Sequence, residues 1–198
     1  MSFLAISILQ AASALPEGGL VAPKEFLHLG GREAVDQTFT RLVRQGKLLR
    51  VGRGLYALTV ESRFGQRAPE AEKVLAALAR KSGETIVPHG AAMANSLGLS
   101  TQVPVKEVFL TSGPGRVLAL GKRTIALKHA PDWLLLLGNT PGGAVIRALA
   151  WLGKKQAEHF MPQLRAKVAA NEWQAVAEIR FKLPGWLAET VSRSAFHA

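Results

Sequence analysis

Glycine placement limits what the first sixty or so residues of this chain can become. Gly30-Gly31, Gly46 and the triplet Gly52-Arg53-Gly54 cut the stretch after Pro23 into short pieces. Each glycine is a natural stop, because it enters backbone regions closed to other residues and breaks helices and strands. The pieces left between them suit a short helix, a longer helix and a tight hairpin.

The longest piece, about Arg32 to Gln45, has helical periodicity. Val35, Phe39, Leu42 and Val43 recur on one face, and Arg32, Glu33, Asp36, Gln37, Thr40, Arg41 and Arg44 fall on the other. Gly46 closes this helix. Lys47–Val51 and Leu55–Thr59 then read as two strands joined by the glycine triplet. Upstream, residues 2–15 read as a helix with Leu4, Ile8, Ala11 and Leu15 on one stripe, ended by Pro16 and Gly18-Gly19. A second helix is expected from Pro23 to about Leu29, with Pro23 in its first turn. Three helices and a hairpin predict an N-terminal winged helix-turn-helix over residues 1–62.

Across helix and hairpin, a basic residue stands at every third position: Arg41, Arg44, Lys47, Arg50 and Arg53, with no acidic residue between them. The whole chain carries 25 Lys and Arg against 14 Asp and Glu, a formal net charge of +11. Such a charge favours polyanions. Double-stranded DNA is therefore the expected partner. Arg32 and Gln37 lie in the half of the helix that would meet base edges, where arginine pairs with guanine and glutamine with adenine. Thr40, Arg41 and Arg44 follow along the same face, some of them on phosphate. Lys47, Arg50 and Arg53 would meet backbone phosphate, with Arg53 at the hairpin tip able to enter a minor groove.

Residues 60–68 read as a linker or basic extension, and residues 68–198 as a second domain. Its elements are a helix over Pro69–Lys81, a short strand at Thr85–Val87, and a small-residue helix over Ala91–Leu97. Strands follow at Glu107–Thr111, Val117–Leu120 and Thr124–Lys128, then helices near Gly143–Leu152, Lys155–Ala170 and Glu172–Phe181. The fold class expected is α+β, with a small antiparallel sheet and C-terminal helices in the second domain.

Little in the sequence suggests catalysis. The absence of cysteine excludes disulfides and thiol chemistry. The five histidines, His28, His89, His129, His159 and His197, stand at no metal-binding spacing, and His89, after Pro88 and before a helix, suits a capping or packing role better than a catalytic one. Gly121-Lys122-Arg123 lacks the spacing and the hydroxyl residue of a phosphate loop. Trp133, Trp151, Trp173 and Trp186 read as core. No catalytic residue, cofactor or metal is expected. The apolar N-terminus has no Lys or Arg before Lys24, which argues against a signal peptide. No apolar stretch reaches the length of a bilayer, so a cytoplasmic, non-membrane protein is expected.

The hairpin region RLVRQGKLLRVGRGLYAL resembles the N-terminal domain of AbiEi-family antitoxins. Gly46, Lys47, Leu48, Arg50, Gly54 and Tyr56 occupy that family's G-K-L-x-R-x-x-x-G-x-Y wing. The stretch PHGAAMANSLGLSTQVPVKEVFLTSG looks like the family's next segment, a small-residue helix followed by a polar-proline turn and a strand. The resemblance implies the antitoxin of a type IV toxin–antitoxin pair, which represses its own operon by binding operator repeats. It implies a nucleotidyltransferase-like toxin as companion, countered often without a stable complex. It transfers no toxin-neutralising residue. Two other readings stand beside it: a winged-helix regulator with a ligand-sensing C-terminal domain, and a nucleic-acid-modifying enzyme.

Overall fold

The computed structural model of the protein describes residues 2–63, 65–102 and 106–195. In chain order these form α1 (Phe3–Ser13), β1 (Leu20–Val21), a 3-10 turn (Pro23–Phe26), α2 (Arg32–Arg44), β2 (Leu48–Gly52), β3 (Leu55–Leu58), β4 (Val60–Ser62), β5 (Gly65–Arg67) and α3 (Ala71–Ser82). They continue with β6 (Ile86–Pro88), α4 (Gly90–Ser96), β7 (Glu107–Thr111), β8 (Arg116–Leu120), β9 (Arg123–His129) and α5 (Asp132–Leu135). The remainder is helical: α6 (Pro141–Leu152), α7 (Lys154–Lys167), α8 (Ala170–Glu178), a 3-10 turn (Arg180–Lys182) and α9 (Gly185–Ala195). The class is α+β with small antiparallel sheets, as expected.

Two compact units share these elements. The first takes residues 1–84 and 116–126, the second residues 85–115 and 127–198. The expected division at residues 62–68 does not coincide with this one. Helix α3 falls in the first unit, as do β8 and the first half of β9; strands β6 to β9 still form one small sheet, in the order β6-β7-β9-β8, as the sequence leads one to expect.

In the first unit, α1, the 3-10 turn and α2 enclose Ala5, Ile8, Ala12, Phe26, Val35, Phe39 and Leu42. Phe39 is central, its ring 5.7 Å from that of Phe26 and 4.6 Å from that of Tyr56. The buried stripe of α1 is Ala5, Ile8 and Ala12, not the expected Leu4, Ile8, Ala11 and Leu15; Ala11 and Leu15 are exposed. The expected second helix shrinks to the single 3-10 turn Pro23–Phe26.

The hairpin pairs Leu48 with Leu58, Leu49 with Ala57 and Arg50 with Tyr56. Its register then shifts, so that Gly52 faces Leu55. Arg53 and Gly54 alone make the turn, with Gly54 at φ 66°, which an L side chain rarely adopts. Strand β1 adds to the far side of β3, giving the order β1-β3-β2 and leaving β2 at the edge. Residues 60–67, read above as linker, contain a second hairpin in which Val60 pairs with Arg67 and Glu61 with Gln66. Its three-residue strands are too short and polar to show alternation.

Glu17 ties this hairpin to α3. Its carboxylate accepts from Arg67 at 3.1 Å, from the Glu70 backbone N–H at 3.2 Å and from Lys73 at 2.6 Å. The Lys73 hydrogen bond leads in holding the Glu17 pKa down at about 2. Gly18 lets the loop come this close, because a Cβ there would stand 2.7 Å from the Lys73 backbone carbon.

In the second unit, α6 is buried along most of its length. It packs with α4, α7, α8 and α9 around Leu99, Ile146, Leu149, Leu164, Trp173 and Leu187. Strands β6 and β7 pair antiparallel, Val87 opposite Leu110, and Ala130 after β9 donates to Thr111. The sequence reading anticipated neither α5 nor α9. It also ran the eighth helix on to Phe181, where the chain has turned 3-10. Trp173 is buried, but Trp151 is 39% exposed and departs from the core role expected.

Candidate nucleic-acid interface

Helix α2 begins after Gly31, whose extended backbone caps it, and ends at Gly46, with φ 72°. Between them Val35, Thr38, Phe39 and Leu42 turn inward. Burial of that face leaves Arg32, Gln37, Thr40, Arg41 and Arg44 exposed, as their spacing requires.

Most of these side chains are engaged by neighbours. Arg32 donates to the Asp36 carboxylate at 2.7 Å. Gln37 donates to Glu33 at 3.1 Å, and Thr40 to the Asp36 carbonyl at 2.9 Å. Arg41 reaches Ser2, the N-cap of α1, at 3.0 Å. The first two pairs follow the i,i+4 rule and were readable from spacing. The Arg41–Ser2 bond joins residues 39 positions apart and was not.

Three of the candidate cations have no side-chain partner among the described residues. Arg44 stands in the last turn of α2, Arg50 in the middle of β2 and Arg53 at the hairpin tip, all exposed. Lys47 is half-buried and lines a cleft of about 510 Å³ with Leu9, Leu58 and Gln66. Thr59 fixes the base of the hairpin there, donating from its hydroxyl to the Gly46 and Lys47 carbonyls at 2.7 and 3.1 Å.

The second unit holds a group that sequence reasoning passed over. Arg147 is 1% exposed, and its Nη1 donates to the Gly138 carbonyl at 2.9 Å. Its Nε and Nη2 have no partner among the described residues, and burial lowers its pKa to about 10. Nothing in the helical periodicity of α6 distinguishes this arginine from a surface one. Gly138 follows Leu137, which has a left-handed backbone at φ 59°.

His89 caps α4, as its position suggested: Nδ1 accepts from the Ala91 N–H at 3.2 Å. Burial, and then Lys128, lowers its pKa from the ordinary histidine value. Among the described residues no cluster of His, Asp and Glu could hold a metal, and no helix is long and apolar enough to cross a membrane. His197, and the Val103–Val105 part of the stretch likened to the antitoxin family, lie outside the described residues.

The chain is an α+β protein with a small N-terminal helix-and-hairpin module. It belongs to the DUF6088 family, a family of unknown function, which matches residues 7–172. No curated protein matches it. Among solved structures, the crystal structure of the Rv2827c protein from Mycobacterium tuberculosis is similar, with a TM-score of 0.53 and 14% sequence identity. The likeness covers 98% of this chain and 76% of that one. At that identity it speaks to the fold alone.

Proposed function

We propose that this protein is a DNA-binding transcriptional repressor whose helix α2 and hairpin β2–β3 act as a winged helix-turn-helix. The observation that carries this reading is the set Arg44, Arg50 and Arg53. These three exposed guanidiniums lack carboxylate partners and stand on the helix, the strand and the tip that follow one another in the chain. Cations without carboxylate partners are free to neutralise phosphates and so release the counterions condensed on DNA. Arg32, Gln37 and Thr40 would supply base reading, the first two by exchanging their carboxylate partners for base edges. The antitoxin role, with a nucleotidyltransferase-like toxin as companion, rests on the resemblance of the wing residues Gly46 to Tyr56.

The direct test is a gel shift on the DNA upstream of the gene across a salt series. With five or six phosphates neutralised, affinity falls on the order of 10³-fold between 50 and 200 mM salt. Binding that does not respond to salt, or to Arg50→Ala with Arg53→Ala, would sink the reading. The antitoxin role is tested separately, by co-expressing the full-length protein with the product of the adjacent gene. Growth should be rescued.

A further inference from the structure

Residues 116–126 return to the first unit after the chain has left it at Glu84. Strand β8 runs beside β2, the edge strand of the wing sheet. A Cβ on Gly52 would stand 3.5 Å from a Leu118 methyl, and one on Gly121 would stand 3.9 Å from the Ala68 side chain. Leu118, Leu120 and Ile125 are buried, so alternate residues of this hairpin face inward. Arg116 pins the start of β8 through a 2.8 Å contact with Glu84. Lys122, Arg123 and Thr124, at and just after the tip, are exposed.

Packing against β2 explains the apolar side of this hairpin. It does not explain the charge. Residues 116–126 carry Arg116, Lys122 and Arg123 and no acid, whereas residues 1–84 carry twelve basic residues against eight acidic ones. Eleven residues therefore supply +3 of the unit's +7. No Asp or Glu occurs anywhere between Glu107 and Asp132. With Arg116 paired to Glu84, the exposed basic residues of this segment are Lys122 and Arg123, at and just after its tip.

We infer that the hairpin of β8 and β9 is a second basic ribbon of the same nucleic-acid interface, with Lys122 and Arg123 contacting backbone phosphate. This rests on the reading of the first unit as a DNA binder. It gives a role to Gly121-Lys122-Arg123, a motif that fails as a phosphate loop. Backbone contacts of this kind add affinity without sequence preference.

The experiment is fluorescence anisotropy with full-length protein and the duplex upstream of its gene, from 50 to 200 mM salt. Wild type is compared with Lys122→Ala, Lys122→Ala plus Arg123→Ala, and Arg50→Ala plus Arg53→Ala. Loss of Lys122 should lower the slope of log K against log salt by about 1, and loss of both residues by about 2. The preference for the upstream duplex over unrelated DNA should stay as in wild type. A thermal melt close to wild type for Lys122→Ala excludes a folding defect. Weaker binding by the Arg50/Arg53 variant, with wild-type slopes for both hairpin variants, would overturn this inference and leave the repressor reading intact. Salt-independent or absent binding by wild type would overturn both.

Discussion

On the α2 face, two carboxylates are each engaged by a side chain one turn away. Arg32 lies on Asp36, and Gln37 on Glu33. Exposed i,i+4 pairs of this kind contribute only about 0.3–0.5 kcal/mol, so a base edge competes with them easily. The two carboxylates also repel phosphate. If α2 meets DNA as proposed, they would bias the helix toward partners that satisfy Arg32 and Gln37, rather than toward any phosphate within reach. Asp36→Asn is therefore expected to raise affinity for unrelated DNA more than for the upstream duplex, with stability changing by under about 0.5 kcal/mol. Competition binding measures the ratio; an unchanged ratio would remove Asp36 from the discrimination. The candidate site was legible at this scale wherever partners are four residues apart. It was illegible where they are far apart, as with Arg41 and Ser2, or where burial alone marks the residue, as with Arg147.

Among the elements, those with strong periodicity or sharp stops were readable. Helix α2, the hairpin β2–β3, and the strands β7 to β9 lie within a residue or so of where glycine and alternation place them. Helix α1 shows why phase fails. Phe3–Ser13 contains no charged residue and many small apolar ones, so two neighbouring stripes read almost equally well. The β4–β5 hairpin is invisible for the opposite reason, since polar strands of three residues carry no pattern. What holds it is Glu17, whose depressed pKa makes the clasp sensitive to acid. The sign follows from linkage. A carboxylate with a lowered folded pKa stabilises above its unfolded value, near 4.5, and that contribution is lost as pH falls toward about 2. Glu17→Gln should lower stability at pH 7 and flatten its decline between pH 4.5 and 2, read from urea midpoints. The same decline in the variant as in wild type would show that other carboxylates carry it.

At the level of the whole molecule, sequence order and spatial grouping part company. Composition suggested a cut near residue 65, because Arg63, Gly65 and Arg67 look like linker. The packing instead sends the chain from the first unit to the second at residue 84, back at 116 and out again at 126. No local pattern reveals such a return, since Leu118, Leu120 and Ile125 alternate as any half-buried strand would. A fragment ending at Glu84 is expected to leave β2 uncovered. Its Val51 and Gly52 amides should exchange faster with solvent than in the full chain. Equal protection would show that the hairpin of residues 116–126 contributes nothing to the first unit.

That return also sets a clock on biosynthesis. A ribosome releases the chain from its N-terminus, and domains ordinarily fold in that order as they emerge. Here the β1-β3-β2 sheet has to wait through the synthesis of 31 intervening residues before β8 arrives to pack against β2. A nascent chain, or one terminated before residue 116, thus lacks this hairpin and its contact with β2. If the proposed interface is right, only a chain translated past residue 126 would carry all of its basic residues, so a truncated product would bind more weakly than the full chain.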